Sequence, residues 1–292
     1  MPKKRPSASR PKTSTAELDA AADRLVRLAR DPKLISGIYN YCDRWCERCS
    51  LTRRCLVFRT EQGRAARRDG RAARTDKENE EFWDDVSRSF ALALHMVRRD
   101  AKKHGIDLDV PDGLAEVEQE LRTRRRRAAR QGSALHREAT AYWKAADTLL
   151  DSLPDELAAT ENALNIQVQL GIGAPHADAE LIRDAQEVVQ WYLHFIDVKL
   201  QRAVASRVDR EREGDDGFPS DADGSAKIAL VAIDRSIGAW ARLREHFAAH
   251  ADTILDLLVR LEKLRRAVER RFPQARAFKR PGFDDVLAAR RT

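Results

Sequence analysis

The sequence predicts an all-α protein, an antiparallel helical bundle with an N-terminal cysteine-ligated metal-binding segment. Alanine and arginine, both helix formers, dominate the composition, whereas only 13 glycines and 10 prolines occur in 292 residues. Apolar residues also recur at three- and four-residue spacing from residue 79 onward, as on the buried face of a helix. All four cysteines lie between residues 42 and 55, and this clustering predicts the metal-binding segment.

The chain divides into five predicted parts by composition and periodicity. The first carries Pro, Ser and basic residues, and the third contains GRAAR twice with no apolar residue larger than alanine. The parts are a disordered basic tail (1–14), an N-terminal helix with the cysteine segment (15–59), a basic linker (60–78), the helical bundle (79–272) and a C-terminal tail (273–292).

Within the bundle, the apolar spacing predicts individual helices. Residues 80–102 form an amphipathic helix, and two further helices are expected to end at Gly132 and before Pro154. The run 177–207 is apolar over most of its circumference, which predicts one long central helix. Asp223 is placed to cap the helix that follows.

Net charge is +7 and the isoelectric point is about 9.4, values that suggest a polyanionic partner. Five of these charges, however, lie before the first acidic residue, Glu17, so the rest of the chain carries only about +2. This distribution favours a solubilising arm over a nucleic-acid reader. The five residues are Lys3, Lys4, Arg5, Arg10 and Lys12.

No apolar run reaches the length of about 18 residues that a bilayer crossing needs. The longest, VVQWYLHFIDV, is interrupted by His194 and Asp197, and no apolar segment follows the basic N-terminus as in a signal peptide. We therefore expect a cytoplasmic protein without a membrane partner. Thiols stay reduced in that compartment, so the cysteines are expected to be metal ligands and not disulfides.

The cysteines follow the spacing C-x3-C-x2-C-x5-C, and they are Cys42, Cys46, Cys49 and Cys55. Four thiolates this close in sequence can bind an iron–sulfur cluster of the 4Fe–4S type or one zinc ion. Structural zinc sites usually split their ligands into two pairs across a longer loop, so the compact spacing favours the cluster, with zinc as the alternative. Cysteines that serve only as small apolar residues are the third interpretation. Nearby cations would offset the thiolate charge: Arg44, Arg48, Arg53 and Arg54.

The last three cysteines, in CERCSLTRRC, resemble the iron–sulfur loops of helix-hairpin-helix DNA glycosylases and of RecB-like nucleases, including CRISPR-associated ones. In those families the fourth cysteine lies further upstream than Cys42 does here. The resemblance covers about ten residues and implies a cluster, but no catalytic motif of either family accompanies it. The first three cysteines match the C-x3-C-x2-C of radical S-adenosylmethionine enzymes, whose barrel strands have no counterpart in this pattern.

A second candidate site consists of five polar residues, namely Glu187, His194, Asp197, Lys199 and Asp234. Glu187, His194 and Asp197 share one stripe of the predicted long helix and could supply metal ligands or an acid–base group; the simpler interpretation is a solvated helix edge. Lys199 falls on the apolar side, where a charge needs a partner, and Asp234 or Asp147 could pair with it.

A third candidate is the basic patch RTRRRRAAR, centred on Arg124, Arg125, Arg126 and Arg127. An arginine run can bind phosphates through charge alone. No aromatic residues are interleaved for base stacking, and the acidic residues Glu116, Glu118 and Glu120 precede the run. A nucleic-acid partner is therefore possible but not favoured, and an ion-paired surface is the preferred interpretation.

Together these patterns predict a metal-binding helical protein that acts as an accessory or interaction module for an unknown protein partner. One alternative is a metal-dependent or redox enzyme that uses the cysteines or the His194 stripe. The other is a nucleic-acid-associated factor that uses the arginine patch. The sequence leaves open whether the protein is an enzyme.

Overall fold

The structure, a computed structural model, describes residues 14–65, 76–108, 114–213 and 220–284. All regular secondary structure in these ranges is helical, which confirms the all-α helical-bundle prediction. The α-helices are α1 (Thr15–Ala29), α2 (Leu56–Ala65), α3 (Asp76–Lys103), α4 (Leu114–Ser152), α5 (Pro154–Leu170), α6 (Pro175–Tyr192), α7 (Phe195–Glu213), α8 (Asp221–His246) and α9 (Ala251–Arg271).

Residue contacts divide the chain into two compact units. The small unit consists of Met1–Tyr39 and Trp45–Ala115, and the large unit consists of Asn40–Arg44 and Glu116–Thr292. The short stretch Asn40–Arg44 therefore packs with helices that are distant in sequence. The predicted basic tail, apart from Ser14, and residues 66–75 of the predicted linker lie outside the described residues.

In the small unit, α1 and α3 pack against each other. Ser14 and Glu17 form a capping box at the start of α1, in which each side chain bonds the other's backbone N–H. Between the helices, the His95 Nε2 lies 2.7 Å from Asp19 Oδ1. The other side of α3 exposes large apolar side chains, which are Trp83, Phe90, Leu94 and Val97.

In the large unit, α8 is the central helix, and α6, α7 and α9 all pack against it. Half of its residues are buried, and most of those are small, so neighbouring helices can approach it on several sides. Trp240 of α8 is fully buried and donates a hydrogen bond from Nε1 to the hydroxyl of Tyr142 in α4, at 3.1 Å.

The predicted helix end at Gly132 is wrong, since α4 continues through this position. A Cβ atom on Gly132 would lie 3.2 Å from Cγ1 of Val204 in α7. Glycine therefore permits a close approach of two helices here and does not terminate one.

The run 177–207 is likewise not one helix, because α6 ends at Tyr192 and α7 begins at Phe195. No proline or glycine marks this break in the sequence. The N-cap of α8 is Ser220, whose Oγ accepts a hydrogen bond from the Asp223 N–H, so Asp223 is in the first turn and is not the cap.

The chain beyond α9 stays packed on the large unit as far as it is described. Ala275 is fully buried, and the Phe278 ring lies against the Tyr41 ring. The part 273–284 is therefore folded, although it was predicted as tail. Across the described ranges, no helix has both the length and the apolar character needed to cross a bilayer.

Candidate metal centre

The three C-terminal cysteines lie at the ends of short 3-10 turns. Cys46 begins the turn Cys46–Arg48, and Cys49 follows it directly. Cys55 follows the next turn, Thr52–Arg54. The N–H of Ile35 donates to the Arg54 carbonyl at 2.9 Å, which ties this region to the chain after α1. The backbone from residue 30 to α2 therefore contains turns and no α-helix.

All four cysteines are thiols, and all four are half-buried. None belongs to the hydrophobic core, so the interpretation of the cysteines as small core residues loses support. The N–H of Leu51 donates a hydrogen bond to the Cys49 sulfur at 3.4 Å.

The cysteine side chains are not gathered into one site. Over the part of the chain that the structure describes, no three His, Cys, Asp or Glu side chains lie close enough together to hold a metal ion. The predicted metal centre is therefore not shown, although the donor chemistry of four thiols fits iron–sulfur or zinc ligation.

Cys42 lies near the Lys199 ammonium in the large unit. The Lys199 ammonium is near enough to interact with the charges of Cys42, Arg44 and Arg202. Burial, together with the two arginines, holds the pKa of Lys199 below its usual value, and Cys42 and Asp221 oppose this shift.

Tyr41, the residue before Cys42, is inserted between α8 and the C-terminal segment. Its ring lies edge-on to Phe278, with centroids 4.7 Å apart, and passes close to Gly224, where an added Cβ would lie 2.3 Å from Tyr41 Cε1. Its hydroxyl hydrogen-bonds Asp221. Burial acts to raise the pKa of Asp221, but hydrogen bonds from Arg202, Ser206 and Tyr41 outweigh it and lower that pKa.

Asp43, the residue after Cys42, is bound by side chains from α6 and α8. Its carboxylate accepts hydrogen bonds from the Tyr192 hydroxyl at 2.7 Å and from Arg235 Nη1 at 2.6 Å. Its carbonyl accepts one from Trp191 Nε1 at 3.0 Å. Burial, followed by the Asp43 carboxylate, raises the pKa of Tyr192, so this hydroxyl remains a donor. Cys42 is thus held between two anchored neighbours.

The residues of the predicted polar stripe do not form one site in the structure. His194 is exposed in the break between α6 and α7, and its ring contacts Trp143. Glu187 is also exposed, on α6. Asp197 is nearly buried and bonds His136 of α4, with Asp197 Oδ1 2.9 Å from His136 Nδ1.

Lys199 and Asp234 are not joined to each other. The Asp234 carboxylate binds the Arg276 guanidinium through both oxygens, at 2.5 and 3.2 Å. The Lys199 ammonium lies 5.2 Å from the centre of the Phe195 ring, in a cation–π contact. The ion pair predicted between Lys199 and Asp234 is therefore absent from the described residues.

The arginine patch is partly neutralised by acidic residues. Arg124 lies 3.0 Å from Glu120 and 3.6 Å from Asp209, and Arg127 lies 3.1 Å from Glu211. Arg125 and Arg126 are exposed and have no ion-pair partner within the described ranges. The patch thus combines two paired cations with two that face solvent.

Two features of this region escaped the sequence analysis. The bonds of Asp43 link residues up to 192 positions apart, and no local pattern indicates such a contact. No local pattern marks His136, because its partner Asp197 lies on another helix.

No family model, curated protein or solved structure matches the chain. The function is therefore inferred from the chemistry of these residues.

Proposed function

We propose that Cys42, Cys46, Cys49 and Cys55 bind a metal centre, with a 4Fe–4S cluster favoured and zinc as the alternative. The observation that carries this proposal is that four thiols lie within one short irregular segment and none of them contributes to the core. A cytoplasmic location, which remains a prediction, would keep these thiols reduced and available.

The surroundings of the cysteines support an anionic centre. Thiolates bring negative charge to a cluster, and Lys199 and Arg44 lie near Cys42 to offset it. The N–H that points at Cys49 Sγ is the kind of hydrogen bond that tunes cluster thiolates. When bound, the metal would crosslink the irregular segment and contribute to its folding free energy.

We propose a structural role for the metal, because it would crosslink an irregular segment that contains turns and no α-helix. The protein would then act as an accessory or interaction module in which the metal holds the cysteine segment in one conformation. Tyr41 and Asp43 already hold Cys42 in place, which limits the number of ligands that must be ordered on binding.

The test is anaerobic purification without chelators, followed by metal and sulfide analysis and a visible absorption spectrum. A cluster predicts about four iron and four sulfide per chain with a broad visible band. A zinc site predicts about one zinc and a colourless protein. A protein that contains neither iron nor zinc contradicts the proposal.

Single cysteine variants identify the ligands. Each of the four Cys→Ser changes should lower the metal content at least severalfold, because serine replaces a thiolate ligand. Ser50→Ala, at an exposed position between Cys49 and Leu51, is the control and should retain the metal. Full metal content in all four cysteine variants would contradict ligation by these residues.

The alternative of an enzyme that uses the His194 stripe receives little support. Glu187 and His194 are exposed, and Asp197 is turned toward His136. A redox enzyme that uses the cluster would show a reversible change in its visible spectrum on reduction, which the same anaerobic sample can test.

A further inference from the structure

A groove runs between α4 and α7 in the large unit, away from the cysteines in sequence. Its volume is about 660 Å³, within the range of small-molecule sites. All of its lining residues come from two stretches, 121–137 of α4 and 197–209 of α7.

Small side chains of α4 line part of the groove. Arg125, Ala129, Gly132 and His136 recur at three- and four-residue spacing, so they form one line about 16 Å long. Between its two ends, this line contains only alanine and glycine. The apolar lining residues include Leu135 of α4 and three residues of α7, Leu200, Val204 and Ala205, and α7 also contributes four polar or charged residues.

The lining side chains that carry an unpaired charge are positive. Its two carboxylates are both engaged, Asp197 with His136 and Asp209 with Arg124. Arg202 is bound to Asp221.

Two other lining arginines, Arg125 and Arg137, have no ion-pair or hydrogen-bond partner among the described residues. They lie about 18 Å apart along α4. A largely apolar groove with unpaired guanidinium groups complements an elongated apolar molecule that carries an anionic group.

We propose that this groove binds a small amphipathic anion, with its apolar body along the Ala129–Gly132 face and its anionic group at an arginine. None of the four cysteines lines this groove. Neither the polar stripe nor the arginine patch predicted it, because its walls come from two helices.

The test is calorimetric titration of the full-length protein with decanoate, decan-1-ol and decylammonium, which share one chain length and differ in charge. Decanoate should bind one molecule per chain, and the other two should bind at least tenfold more weakly. Decyl phosphate extends the series: tighter binding than decanoate indicates a phosphate ester, and weaker binding indicates a carboxylate.

Two double variants with the same net charge distinguish binding in the groove from general electrostatic attraction. Arg125→Ala/Arg137→Ala should weaken decanoate binding at least tenfold. The control, Arg126→Ala/Arg130→Ala, removes two exposed cations of the same helix that do not line the groove and should change binding less than twofold.

A second pair tests the apolar body of the site. Ala129→Trp fills the groove and should abolish decanoate binding, whereas Ala134→Trp, exposed outside the groove, should leave it intact. Far-UV circular dichroism and thermal melting establish that each variant is folded.

Three results would overturn the proposal: no binding of decanoate or decyl phosphate up to their solubility limits, equal binding of the alcohol and the anions, or equal losses in the groove and control variants. Metal content is measured on the same samples, so failure here is distinguishable from failure of the metal proposal.

Discussion

Asp43 joins an irregular segment to two helices of the large unit through a single carboxylate. Its side chain is 18% exposed, and it accepts bonds from the Tyr192 hydroxyl and the Arg235 guanidinium. Hydrogen bonds to a charged, mostly buried group contribute more than those at the surface. Asp23, by contrast, pairs with Arg99 at a position where its side chain is 53% exposed.

We expect Asp43→Asn to lower the free energy of unfolding by about 1–3 kcal/mol, because an amide removes the charge and turns donor hydrogens toward Tyr192 or Arg235. The surface control Asp23→Asn should cost no more than about 1 kcal/mol. Urea unfolding of both variants, followed by tryptophan fluorescence, measures the difference. Equal losses of unfolding free energy in the two variants would show that the hydrogen bonds of Asp43 contribute no more to stability than a surface ion pair.

At the scale of secondary structure, the sequence predicts those helices that local signals define. The N-terminal helix predicted within residues 15–59 and the apolar spacing of residues 80–102 correspond to α1 and α3. Gly132 was misread because its role depends on Val204, a residue of another helix. The break between Tyr192 and Phe195 was missed because no local signal marks it.

Two glycines of α8 show the same difference between local and tertiary effects. Gly224 faces the rings of Tyr41 and Phe278, and a Cβ there would lie 2.3 Å and 2.8 Å from their nearest atoms. Gly238 is exposed, with nothing within 4 Å of the Cβ position.

We predict opposite effects of alanine at these positions. Gly224→Ala should destabilise the protein by about 1–3 kcal/mol through overpacking, since Tyr41 is held on both sides. Gly238→Ala should stabilise it by about 0.5–1 kcal/mol, because alanine has the higher helix propensity. Urea unfolding measures the change in unfolding free energy for both variants. Stabilisation by Gly224→Ala would contradict overpacking, because it would show that the Tyr41 ring can move aside without loss of stability.

At the scale of the whole chain, positive charge is unevenly distributed. Four of the N-terminal cations, Lys3, Lys4, Arg5 and Arg10, precede every acidic residue. The run from Arg124 to Arg127 follows three glutamates, and two of its cations are ion-paired. General attraction to polyanions should therefore depend more on the N-terminal residues than on α4.

Heparin chromatography tests this expectation with two variants that each lose four charges. Changing the four N-terminal cations to glutamine should lower the salt concentration of elution more than changing Arg124–Arg127 to glutamine. The reverse order would favour the nucleic-acid alternative and assign its contact surface to α4.

The candidate sites were predictable only in part. Their donor chemistry could be predicted from the chain, because four closely spaced cysteines are typical of a ligand set, and metal binding by them stays a prediction. Their surroundings could not, since Lys199 and Cys42, or His136 and Asp197, are far apart in sequence and meet only through helix packing.

The central position of α8 has a consequence for motion. Its buried residues face several neighbouring helices, so the middle of α8 cannot reach water while those helices remain in place. Its amide hydrogens should therefore exchange with deuterium only through the largest opening of the large unit, at a rate that reports the stability of that whole unit. The ends of the exposed α5 would exchange through small local fluctuations and carry no such information.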